Sequence, residues 1–69
     1  MRGWKRAVRH RVVVNLLSGT AVASVLLRQD GPLLFLRDAT VHESAAEPVT
    51  ADGELLIQRT QVDYIQIVG

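Results

Sequence analysis

From Arg11 onward, short runs of aliphatic and β-branched residues alternate with turn-forming residues at intervals of about ten, a pattern that predicts a small all-β fold. Val12, Val13, Val14, Leu16 and Leu17 supply the first strand, and Ser18-Gly19 turns the chain into a second run from Thr20 to Arg28. In that run Val22, Ser24 and Leu26 share one face while Ala21, Ala23, Val25 and Leu27 share the other, so both faces are expected to be at least partly covered. Asp30-Gly31-Pro32 marks the next turn, because glycine tolerates positive φ and proline fixes its own φ without offering a ladder donor. A third strand runs from Leu33 through Leu36 toward Val41, and His42 to Asp52 reads as a surface loop. Glu54 to Gln58 and Val62 to Val68 complete five strands, joined by the tight connection Arg59-Thr60-Gln61. Ahead of them Trp4, Ala7 and Val8 stand at helical spacing, which predicts a short amphipathic helix over Trp4 to Arg9, laid against the sheet. The chain thus divides into an N-terminal arm, residues 1–10, and a β-domain, residues 11–69.

Length changes this picture. A chain of 69 residues buries only about 60% of the surface exposed when unfolded, and domains this small usually need a disulfide, a metal or a partner subunit. There is no cysteine, and His10 and His42 lie far apart without an adjacent ligand pair, so no metal or other cofactor is expected. Oligomerisation, with like or unlike subunits, is the remaining source of stability. The longest apolar runs, such as Leu33 to Leu36, are four residues, against about 20 for a membrane span. The basic start lacks the long apolar stretch and cleavage site of a signal peptide, so neither a membrane partner nor export by that route is expected.

The net charge of +1 conceals a segregation. Arg2, Lys5, Arg6, Arg9 and Arg11 place five positive charges in the first eleven residues, and the remainder sets three arginines against seven carboxylates, a net of −4. A basic arm of this kind meets something anionic. Because tryptophan and arginine carry a disproportionate share of interface energy, Arg2, Trp4, Lys5, Arg6, Arg9 and Arg11 are the candidate partner-binding residues, with Trp4 as the anchor.

Nothing in the sequence assembles catalysis. Asp30 and Asp38 fall at strand ends, where carboxylates cap turns, and Ser18 falls in a hairpin turn, where serine bonds backbone. His10 and His42 are isolated. Asp30-Gly31-Pro32 offers one glycine and then a residue without an N–H, which is no phosphate loop. A barrel this small is filled by its own side chains, so the chain is read as a non-enzyme.

From Arg11 to Val68 the sequence resembles the Sm-like family, which includes the LSm proteins and bacterial Hfq. Val14, Leu16, Gly19, Val22, Leu26 and Asp30 fall on the positions of the first Sm motif, continued by Leu36, Asp38 and Ala39. Leu56-Ile57-Gln58-Arg59 followed by Val62, Tyr64 and Ile65 is similar to the second. The resemblance implies a five-stranded SH3-like barrel behind a short N-terminal helix. It also implies rings in which the fourth strand of one subunit pairs with the fifth strand of the next, covering edges that otherwise invite aggregation. In RNA-binding members an asparagine after the motif aspartate reads the base, and Arg-Gly in the second motif closes the pocket. Here Gly31-Pro32-Leu33-Leu34-Phe35 follows Asp30, one residue shorter, and the second motif reads Gln58-Arg59. Leucine has no donor or acceptor with which to read a base, so the uridine pocket is expected to be absent. Phe35, inside Leu-Leu-Phe-Leu, is expected in the core.

The Gly-Pro-Leu-Leu turn and the short acidic loop also resemble small virion proteins of phages that infect actinobacteria. The first reading of function is therefore a structural assembly protein in a virion, its basic arm gripping the major capsid protein or another virion subunit. The alternative is a cytoplasmic Sm-like ring that binds RNA or DNA.

Overall fold

Alternation along each strand decides which side chains enter the interior, and the interior in turn decides how the strands bend. The computed structural model describes residues 4–69. Arg2 and the side chain of Trp4, two of the candidate binding residues, lie outside the described part. A one-turn helix α1 (Trp4–Ala7) precedes β1 (Arg11–Leu16), β2 (Ala21–Asp30), β3 (Leu33–His42), β4 (Val49–Thr50) and β5 (Glu54–Gln58). A 3-10 turn (Arg59–Gln61) then leads into β6 (Val62–Ile67).

The sheet runs β4-β3-β2-β1-β6, and β5 pairs with the first half of β3 on the edge whose second half is taken by β4. Every pairing is antiparallel. The all-β expectation holds, with β4 as a sixth, two-residue strand inside the segment read as loop. β2 and β3 are joined by Gly31 and Pro32 alone, Gly31 at φ 59°. Glycine first with positive φ suits the mirror-image turns that match the twist of a hairpin.

Val12 and Val14 of β1, Val22, Ser24 and Leu26 of β2, Leu34, Leu36 and Ala39 of β3, and Ile57 of β5 are buried together. Ala7 of α1, placed in the arm by the sequence, is 2% exposed and joins this cluster. The backbone behind it is tied down as well: Arg9 N–H donates to Leu26 C=O at 2.6 Å, and Leu26 N–H donates to His10 C=O at 3.2 Å. The helix ends at Ala7, short of the expected Arg9, because Arg9 adopts φ 69°, a left-handed conformation that stops helices.

Two irregularities interrupt the long β2–β3 ladder. Leu26 faces Leu36 and Arg28 faces Phe35, so Leu27 is an extra residue on β2. Further along, Ala23 faces Thr40 and Val25 faces Arg37, so Asp38 and Ala39 together oppose Ser24. Such bulges bend a strand and re-aim its side chains. Among the described residues no ladder joins β5 to β6, so each keeps one unpaired edge.

Candidate functional site

Two loops meet at one end of the sheet. Arg59 N–H donates to Pro32 C=O at 2.7 Å, which clasps the β2–β3 turn to the 3-10 turn, while Gln29 Nε2 donates to Gly31 C=O at 3.0 Å within the hairpin. These are the two segments in which the sequence resembles the Sm motifs. Leu34, where a polar reader would stand, is fully buried in the core, and Leu33 is half-buried. The clasp brings exposed Arg59 beside the turn but supplies no side-chain amide from the turn itself.

A second feature lies on the outer face, where Arg9, Val25, Leu27, Arg28 and Arg37 line an open groove of about 600 Å³. The bulges build it. Strict alternation after Val22, Ser24 and Leu26 would turn Arg28 inward, but the extra residue Leu27 reverses the phase and sends Arg28 out beside Phe35. Phe35 is accordingly not a core residue, contrary to the expectation from its apolar neighbours: Leu34 and Leu36 point in, and Phe35 lies half-buried on the outer face. The Arg28 guanidinium sits over its ring, 3.9 Å from the centroid. The second bulge, with Asp38 at φ 53°, turns the Asp38 carboxylate out and puts Ala39 into the core. Asp38 therefore stands mid-strand in β3, not at a strand end as its neighbours suggested.

Two carboxylates approach the groove. Glu54 Oε1 lies 3.9 Å from Arg28 Nη1, and Asp38 Oδ2 lies 3.6 Å from Arg37 Nε, all four side chains being about half exposed or more. Arg9 makes no ion pair among the described residues. Of the candidate binding residues among those described, Arg9 alone lines the groove; Lys5 and Arg6 lie exposed on α1 and Arg11 at the start of β1. Arg28 and Arg37 were missed because only the bulges and the register across the sheet bring them to Arg9.

The groups weighed for chemistry stay apart. Ser18 Oγ donates to Thr20 Oγ1 at 3.2 Å and accepts from Thr20 N–H at 3.4 Å, closing the β1–β2 turn. His10 Nδ1 lies 3.0 Å from Gly69 C=O, and exposed His42 ends β3 opposite Ala21. Among the described residues no three His, Asp or Glu side chains gather as a metal site, and no helix is long and apolar enough to cross a membrane.

One bent antiparallel sheet behind a short N-terminal helix, with its two Sm-motif loops clasped together, defines an Sm-like fold. Among solved structures the chain is similar to a heptameric archaeal Sm protein, with a TM-score of 0.78 at 20% sequence identity, covering 94% of this chain and 94% of that one. No family model and no curated protein matches the sequence.

Proposed function

We propose that this chain is a subunit of an Sm-like ring that binds nucleic acid through its phosphate backbone. The observation that carries the reading is the pair of free edges, on β5 and β6, in a fold shared over 94% of both chains with a protein described as heptameric. Of the six exposed large hydrophobic residues among those described, Leu56 lies on β5, Tyr64 and Ile67 on β6, and Val68 just beyond it. Apolar side chains beside unpaired backbone are what a neighbouring copy covers when β5 of one subunit pairs with β6 of the next. The basic face supplies the counterpart for phosphate, and the leucines that follow the β2–β3 turn argue against base-specific reading. The protein in the comparison is described as an archaeal Sm protein, which favours the ring over the capsid reading.

Light scattering on the purified chain tests assembly, and binding of a labelled oligoribonucleotide across a salt series tests the ligand. The expected result is a mass several times 7.6 kDa. Affinity should fall by about 0.7 log unit per log unit of salt for each phosphate neutralised on a single strand. A monomer with no salt-sensitive binding would overturn the reading.

A further inference from the structure

We infer that the groove between Arg9, Arg28 and Arg37 is a sequence-tolerant site for single-stranded nucleic acid, its guanidinium groups taking phosphates and the Arg28–Phe35 stack supporting a base. This rests on the nucleic-acid reading above and says where, and by which groups, the strand is held. It moves contact away from the loop end, where leucine replaces the polar reader, to the outer face of β2 and β3.

Three separate segments deliver one cation each: the link after α1, β2 and β3. Two of the three arrive through departures from regular geometry. Arg9 occupies a left-handed backbone that glycine or asparagine would adopt with less strain, held there by its N–H bond to Leu26. Arg28 faces outward only because of the bulge at Leu27. A solvated charge would require neither. Arginine also fits the ligand, since its planar fork matches a phosphate with two parallel hydrogen bonds.

The stack decides between nucleic acid and an acidic peptide. The Arg28 guanidinium lies over the Phe35 ring while its side chain stays 54% exposed, and unstacked bases lie on such groups while their phosphates meet neighbouring cations. Half-buried Val25 and Leu27 give an apolar floor for sugar and base. Glu54 and Asp38 are the groups that oppose binding, yet both form long, exposed pairs of the kind that phosphate readily displaces.

The test uses the full chain with labelled oligouridylate, labelled oligothymidylate and a labelled polyglutamate peptide, each titrated over a salt series. Both oligonucleotides should bind the wild type. The triple variant Arg9→Gly, Arg28→Ala, Arg37→Gln should lose affinity about tenfold or more, with the salt slope shallower by about 0.7 per arginine removed. Arg28→Ala should cost more than Arg59→Ala, which removes the same charge at the loop end. Asp38→Asn keeps a residue that tolerates the left-handed bulge and frees Arg37, so binding should tighten about two- to fivefold. Because Arg9→Gly relieves strain, circular-dichroism melting should show that variant at least as stable as the wild type, which separates lost binding from lost folding. Undiminished binding by the triple variant, or a greater loss in Arg59→Ala, would overturn the groove while leaving the nucleic-acid reading intact. Wild type that binds neither oligonucleotide would overturn both, and binding of polyglutamate alone would assign the groove to an acidic protein.

Discussion

Ser24 shows how much depends on one atom in a core this small. Its hydroxyl is buried among Val22, Leu26 and their neighbours, and its oxygen has no hydrogen-bond partner. An unpaired buried hydroxyl is destabilising by about 1–3 kcal/mol, so Ser24→Ala should stabilise the protein by about 1 kcal/mol. For a domain of this size that is a rise in melting temperature of about 4–8 °C, readable by calorimetry. A fall of similar size would show that the hydroxyl is satisfied by a neighbouring group. The sequence places Ser24 correctly on the face with Val22 and Leu26, but nothing in it says that the hydroxyl goes unpaired there, because that depends on what β3 sets opposite.

At the scale of the strand, β3 carries adjacent residues with opposite fates. Leu36 is fully buried, whereas Phe35 packs under Arg28 on the outer face. Truncating a buried leucine costs about 2–5 kcal/mol, against a stability for a chain this size of roughly 0.05–0.15 kcal/mol per residue. Leu36→Ala is therefore expected to unfold much of the population, and Phe35→Ala to cost clearly less despite removing a larger side chain. Urea titration of the two variants checks the order, and the reverse order would place Phe35 in the core after all. A strand's period tells which residues share a face, but an unseen bulge changes the phase, and both bulges of the β2–β3 ladder lie beyond what alternation reveals.

For the molecule as a whole, the proposed assembly rests on the edge of β6. Val68 N–H donates to Arg11 C=O, so by alternation Ile67 N–H faces away from β1. Proline at that position removes an edge donor without breaking an internal bond. Ile67→Pro should leave a folded subunit by circular dichroism and lower its mass in light scattering to that of smaller species. An assembly of unchanged mass would show that β6 is not the joining edge. The segregation of charge has its meaning at this scale too, since part of the basic start is turned back onto the barrel by Ala7 and Arg9.

The sequence by itself determined the strand runs, the glycine turns, the buried face of Val22, Ser24 and Leu26, and the absence of a base-reading amide after Asp30. Those are local properties, set by side-chain period, φ preference and the chemistry of single residues. Tertiary structure alone decided that Phe35 is not core, that Asp38 sits in a mid-strand bulge, and that Arg9, Arg28 and Arg37 share one groove. Each of these depends on register between strands distant in the chain, where one extra residue reverses inside and outside, and a single sequence does not display that register.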